Sequence, residues 1–191
     1  MATKLLCLSL LILNLLLHMS TTAESATSTT DFIKSSCMAT RYPVACVESL
    51  SGYASKIRPS EEELASTAMS VSVSKTRSCV SSLEKMEKTK GLQAREYNAV
   101  QDCIENMNDS VDNLNRSMKE LGLLGKGKDS RLHISNIQTW VSAAMTYQDT
   151  CLDSINDANF KPSIKPEVVD ASQVTSNALA LVNRFASKYR T

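Results

Sequence analysis

The chain has 191 residues, 42% apolar and 21% charged, with 21 basic side chains against 20 acidic ones. So even a balance excludes a nucleic-acid binder that depends on a strongly basic surface. Aromatic residues are only 5% of the chain while Leu, Ala, Met, Ser and Val abound, a composition that suits helices packed on helices better than strands.

The N-terminus reads as a secretion signal. Lys4 supplies the positive start, Leu5 to Leu17 is apolar except for Ser9 and Asn14, and Thr21-Thr22-Ala23 offers a cleavage site. That apolar run is short for a membrane span, which needs about 20 residues. No second apolar run follows, so the mature chain is expected to start near Glu24, to be exported and to have no membrane partner. Losing the leader removes Lys4 and leaves acidic and basic residues equal. About 168 residues remain, enough for one domain with a real core.

Export places the cysteines in an oxidising compartment, where disulfides persist. Cys7 leaves with the signal; Cys37, Cys46, Cys79, Cys103 and Cys151 stay. They allow at most two internal bonds and leave one thiol over, and the residues themselves leave the pairing open.

Residues 24–30 form a Ser/Thr-rich leader expected to be flexible. A short segment from Asp31 to Thr40 then meets a turn at Arg41-Tyr42-Pro43, and a second short helix is predicted over Val44 to Ser55. Cys37 and Cys46 flank the turn, so a bond between them would close a small helical hairpin, worth about 2.5–3 kcal/mol in the chain-entropy model.

Four longer helices are predicted next. The first starts after Pro59, with Ser60 as N-cap and Glu61, Glu62 and Glu63 in the positive first turn, and runs to Lys90 before Gly91. The second spans Leu92 to Leu121. Its apolar seam of Tyr97, Val100, Ile104, Met107, Val111, Leu114, Met118 and Leu121 alternates spacings of three and four. Gly122 to Asp129 is rich in Gly and Lys and reads as a loop. The third covers Ser130 to Ala158, with Ile134, Ile137, Val141, Ala144, Cys151 and Ile155 on one face. Lys161 to Pro166 links it to the last, Pro166 to Lys188, with Val168, Thr175, Ala178, Val182, Phe185 and Tyr189 inward. Four such helices with short loops predict an all-α, up-and-down bundle preceded by the hairpin, the whole domain covering about residues 31–188.

Little in the mature chain points to catalysis. His133 is its one histidine, no cluster has metal-ligand spacing, and no phosphate loop or serine-nucleophile motif occurs. Cys79, within the first long helix, reads as a buried, inert thiol. The expectation is a non-enzyme with no metal and no cofactor.

Two sequons, at Asn108 and Asn115, match the N-glycan acceptor pattern. Being seven residues apart, they share one side of the second long helix. Glu105, Asp109 and Asp112 make an acidic stripe on that helix, and Asp149, Asp153 and Asp157 make another on the third. Both should face solvent, where they suit a basic or hydrogen-bonding partner surface.

Several motifs, in order, resemble one family. They are Asp31-Phe32-Ile33-Lys34-Ser35-Ser36-Cys37, Arg41-Tyr42-Pro43-Val44-Ala45-Cys46, Ala99-Val100-Gln101-Asp102-Cys103 and Asp109-Ser110-Val111-Asp112, together with the long run from Ile137 to Asp153 that contains Thr139-Trp140-Val141-Ser142-Ala143-Ala144. Over about Thr30 to Ser187 the chain resembles the plant inhibitors of pectin methylesterase and of invertase. The resemblance implies the bundle with its hairpin, bonds Cys37–Cys46 and Cys103–Cys151, and a free thiol at Cys79. The second bond would tie two long helices and be worth about 4 kcal/mol in the same model.

The family divides between two target enzymes. The Pro-Lys-Phe motif of the invertase inhibitors is missing from Leu123 to Ser130, and Phe160-Lys161-Pro162 carries it only reversed and after the helix. The resemblance therefore implies a pectin methylesterase inhibitor, acting in a 1:1 complex by covering the pectin-binding cleft. With no catalytic domain before Thr191, it is expected to act as a free inhibitor in the apoplast. Glu105, Asp109, Asp112, Thr150 and Asp153 are the expected contacts, and inhibition should weaken as carboxylates protonate or are screened by salt. An invertase inhibitor is the alternative target reading, and a secreted helical storage or structural protein is the alternative from another class. The hairpin is also a candidate for self-association with a second copy.

Overall fold

The computed structural model describes residues 28–127, 129–157 and 164–189, and all regular structure among them is helical. The signal segment, its cleavage site and Cys7 lie outside these residues, as do Lys128 and the Phe160-Lys161-Pro162 run. The helices are α1 (residues 28–37), α2 (Pro43–Ser51), α3 (Glu61–Glu87), α4 (Ala94–Leu121), α5 (Ser130–Asp157) and α6 (Lys165–Ala186), followed by a 3₁₀ turn, Ser187–Tyr189.

Helices α1 and α2 form the hairpin. Helix is already present at residue 28, and Thr29 is buried, so residues 28–30 belong to the hairpin rather than to a flexible leader. Burial overrides the preference of Ser and Thr for irregular backbone. Helix α2 stops at Ser51, short of the expected Ser55. Gly52 follows, and tight turns take over, with Tyr53 N donating to Leu50 O at 2.9 Å and Lys56 N to Tyr53 O at 2.8 Å. Cys37 and Cys46 are bonded across the hairpin, Cα atoms 5.5 Å apart, and both are buried.

The hairpin packs on α3 and α6 of its own chain. Asn177 of α6 holds it there with both ends of its amide. Its Oδ1 accepts from Tyr42 N at 3.0 Å and its Nδ2 donates to Tyr42 O at 2.8 Å. The Tyr42 carbonyl also accepts from Cys46 N at 3.0 Å, so it is the Tyr42 N–H that the turn would otherwise leave unpaired in a partly buried place.

Helix starts follow local chemistry. Ser60 caps α3, its Oγ accepting from Glu63 N at 3.5 Å. Glu63 also pairs with Arg58, and Glu61 pairs with Arg184 of α6 at 2.6 Å. Helix α4 begins two residues later than expected, because Gln93 takes the cap position and Glu96 Oε2 accepts from Gln93 N at 2.8 Å. At the α3–α4 corner Gly91 has φ 101°, a conformation other residues rarely adopt.

Four long helices close a ring in which α4 lies against α3 and α5, and α6 against α5 and α3. Cys103 and Cys151 are bonded across α4 and α5, Cα atoms 4.3 Å apart. Small side chains allow that approach. Ser110 and Ser117 are fully buried on α4, and Ser117 Oγ donates to the Ile137 carbonyl of α5 at 3.4 Å. The seam of α4 therefore lies partly away from its expected line. Val100, Met107, Val111, Leu114 and Leu121 are buried as expected, but Ile104 and Met118 are half-buried and Tyr97 is 38% exposed. Tyr97 instead accepts from Gln101 Nε2 at 2.8 Å beside Glu87. A strict spacing of three and four drifts around a straight helix, and the N-terminal end of the seam, at Tyr97, leaves the core.

The core is two apolar clusters with a polar waist between them. One runs from the hairpin through Leu64–Val73, Leu114–Leu124, Ile134–Ala144 and Val174–Ala186. The other holds Cys79–Leu83, Val100–Val111, Cys151–Ile155 and Ile164–Ala171. At the waist Gln148 Nε2 donates to Thr76 Oγ1 at 3.2 Å and to Thr175 Oγ1 at 3.1 Å. Thr76 and Thr175 donate their own protons to the Ser72 and Ala171 carbonyls, so Ser72 must donate to Thr175 Oγ1, 2.6 Å away. Gln148 Oε1 is buried without a partner among the described residues.

Candidate functional site

The outer flank of α4 and α5 is the one surface on which the sequence-predicted contacts meet. Antiparallel packing puts residue 103 beside 151 and residue 117 beside 137. Glu105, Asp109 and Asp112 stand exposed on α4, and Thr150 and Asp153 stand exposed on α5. Asp149 is exposed on α5 as well, while the side chain of Asp157 lies outside the described residues.

Most polar groups on this flank have their donors satisfied internally. On α5, Thr139, Thr146, Thr150 and Ser154 each donate to the carbonyl four residues back, at 2.9–3.1 Å. On α4, Asn106 and Asn113 do the same to Asp102 and Asp109 at 2.7 and 2.8 Å. The hydroxyls leave lone pairs outward, beside the carboxylates of α4, while each of the two Asn amides retains a second N–H. Such a surface accepts hydrogen bonds and attracts positive charge. Back-bonding also holds the hydroxyls in one rotamer, so less side-chain freedom is lost when a partner covers them.

Of the back-bonded hydroxyls only Thr150 is among the contacts expected from the sequence; Thr139, Thr146 and Ser154 are additions from the structure. Their signal is Thr or Ser recurring at spacings of three and four on the outer face of α5.

The sequons point elsewhere. Asn115 is half-buried and its Oδ1 accepts from Arg77 Nη2 of α3 at 3.3 Å, so that side of α4 faces α3. Asn108 is exposed and lies about 60° around the axis from Glu105, toward the same side.

Nothing on the flank gathers for catalysis. Among the described residues no three His, Cys, Asp or Glu side chains come together as a metal site, and no helix is long and apolar enough to cross a membrane. His133 Nδ1 is bonded to Glu120 Oε2 at 2.6 Å, and Glu120 Oε1 accepts from Asn136 at 3.2 Å, which ties the end of α4 to the start of α5. Cys79 is buried between α3 and its neighbours. Burial, with the nearby negative charge of Glu167 as a lesser cause, pushes its thiol up to about 12, so it stays protonated and a poor nucleophile.

A disulfide-tied bundle with one ordered, acceptor-rich flank has the character of a binding module. Comparison with known proteins gives the family. The plant invertase/pectin methylesterase inhibitor model matches residues 31–181, and the chain belongs to that family. A carrot (Daucus carota) protein described as "21 kDa protein" is 45% identical over 174 residues, 88% of this chain and 90% of that one. Pectinesterase inhibitor 11 of Arabidopsis thaliana is 43% identical over 166 residues, 83% of this chain and 82% of that one. The fold matches the crystal structure of a mutant form of a pectin methylesterase inhibitor from Arabidopsis, with a TM-score of 0.65, 20% identity, and coverage of 77% of this chain and 92% of that one.

Proposed function

We infer that this protein is an inhibitor of pectin methylesterase that works by docking, without a covalent step, and has no enzymatic activity of its own. The observation that carries the target is the 43% identity to a pectinesterase inhibitor across most of both chains. The α4–α5 flank is where docking belongs, because it joins Glu105, Asp109 and Asp112 to Thr150 and Asp153 on two helices held by one disulfide. Covering the pectin-binding cleft of the enzyme with this flank stops de-esterification by steric exclusion, one inhibitor to one enzyme. Its chemistry asks for an enzyme surface rich in donors and positive charge. A glycan on Asn108 or Asn115 would stand toward α3 and leave the α5 side open. Export to the apoplast fits the signal-like N-terminus.

The test is titration of the purified mature chain against pectin methylesterase and, in parallel, acid invertase. Pectin methylesterase should be inhibited with an equimolar endpoint, and inhibition of neither enzyme refutes the proposal. Glu105→Gln and Asp109→Asn should each raise the inhibition constant by roughly tenfold at low salt. Undiminished inhibition by both variants would remove these carboxylates from the interface.

A further inference from the structure

The flank that accepts hydrogen bonds carries one conspicuous exception. Arg116 follows the acidic stripe, one turn beyond Asp112. It forms no ion pair with that neighbour; its guanidinium lies instead over the ring of Trp140 on α5, 4.9 Å from the centroid. Arg116 is exposed and Trp140 half-buried, so the ring is seated in the α4–α5 groove with the guanidinium as its outer cover. Trp140 is the only tryptophan in the chain.

We propose that the Arg116–Trp140 stack is the anchor that sets register and specificity when the α4–α5 flank docks on pectin methylesterase; this rests on the function proposed above. The argument begins with charge. A row of acceptors and carboxylates alone fits a basic surface in many positions, because each small slide exchanges one favourable pair for another. A reversal of charge at the end of that row, beginning with Arg116, removes the degeneracy. Sliding would bring Arg116 against the partner's positive charge, a repulsion that selects one register. Lys119, exposed one turn further on α4, extends the reversal of charge.

The pair also has the make-up of an energetic anchor. Trp and Arg are enriched among interface residues whose truncation costs most affinity. The cation–π contact restrains the guanidinium over the ring before the partner arrives, so its N–H donors meet an acceptor with less loss of freedom. The matching feature on the enzyme is a carboxylate or a pair of carbonyls beside its donor-rich patch.

Anchors and peripheral charges differ in kinetics. Peripheral carboxylates change association rate and its salt dependence, whereas a desolvated anchor changes dissociation. The experiment measures both rate constants for pectin methylesterase binding to the wild type, Arg116→Ala, Arg116→Lys, Trp140→Phe and Glu105→Gln, with thermal unfolding of each. Arg116→Ala should speed dissociation by at least about tenfold and leave association within about twofold. Arg116→Lys, which keeps the charge and loses the planar stack, should recover only part of that loss. Trp140→Phe keeps a ring and should fall between wild type and Arg116→Ala at an unchanged melting temperature. Glu105→Gln should act mainly on association.

Wild-type dissociation for Arg116→Ala overturns the anchor while leaving the inhibitor assignment intact. So does a change in association alone, which would make Arg116 a peripheral charge. Failure of the wild type to bind at all overturns both.

Discussion

Cys79 shows how burial decides the chemistry of a residue. The same thiol on an exposed helix would ionise near its ordinary value of 9.0; burial chiefly, and Glu167 secondarily, pushes it up to about 12. The folded protein thus holds this proton more tightly than the unfolded chain. The corresponding stability is complete below pH 9.0 and is lost as pH rises from there toward 12. The native protein at pH 8 should therefore leave Cys79 unmodified by a thiol-specific reagent, while unfolded protein reacts fully. Fast labelling without unfolding would show an accessible thiol. Glu63 illustrates the opposite sign. Hydrogen bonds from the Arg58 guanidinium and backbone N–H hold its carboxyl below the usual range. That contribution is present above the unfolded value and disappears as pH falls through the folded one. Arg58 is almost fully in solvent, so salt screens the pair and its weight in stability is small.

At the scale of elements, the hairpin matters because it is held by few groups. Helices α1 and α2 are too short to be stable alone in water, so they depend on the Cys37–Cys46 bond and on docking to α3 and α6. Asn177, only 3% exposed, supplies two hydrogen bonds to the Tyr42 backbone, including the one made by its N–H. Asn177→Ala should cost about 1–3 kcal/mol in denaturant unfolding and speed hydrogen exchange at Tyr42 ahead of global opening. Unchanged exchange would mean that the clasp and apolar packing suffice. At the far corner, Gly125 has φ 77°, and a Cβ there would meet Tyr189 Oη at 2.9 Å. The α4–α5 loop is thereby seated on the tail of α6, where Tyr189 packs edge-on against Phe185 with centroids 5.6 Å apart.

Across the whole molecule, the bundle is registered by its polar waist and tied by one long-range bond. An apolar four-helix core tolerates axial sliding; Gln148, Thr76, Thr175 and Ser72 meet at only one offset of three helices. Thr175→Val removes the shared acceptor and strands the Ser72 hydroxyl and one Gln148 N–H. It should cost about 1–3 kcal/mol although the volume is kept. Gln148→Met, which also removes the unpartnered Oε1, should be closer to neutral by the same chemical-denaturation measurement. A larger loss for Gln148→Met than for Thr175→Val would reverse this account. The Cys103–Cys151 bond spans 48 residues, so replacing both with Ser should cost about 4 kcal/mol in the chain-entropy model. Calorimetry on that double variant checks it, and a loss near zero would mean that the unfolded chain is already constrained.

Much was legible in the residues themselves. Apolar spacing, the Ser60 cap, the acidic first turn of α3 and the Gly-rich loop after Leu121 place the four long helices, because helix chemistry is local. The acidic residues of α4 and α5 likewise read as solvent-facing, and Glu105, Asp109, Asp112, Asp149 and Asp153 are exposed. Gln148 was not singled out, although it interrupts the apolar stripe between Ala144 and Cys151. A polar residue in a core register is tolerated only when distant hydroxyls satisfy it, and pattern alone does not supply those partners. The inward turn of Ser110 and Ser117, the exposure of Tyr97, the capture of Tyr42 by Asn177 and the seating of Arg116 on Trp140 have the same origin. Each depends on which helix lies beside which, and at what axial offset. Periodicity and termini determined the helices; close packing across the bundle decided which of their faces remained open to another protein.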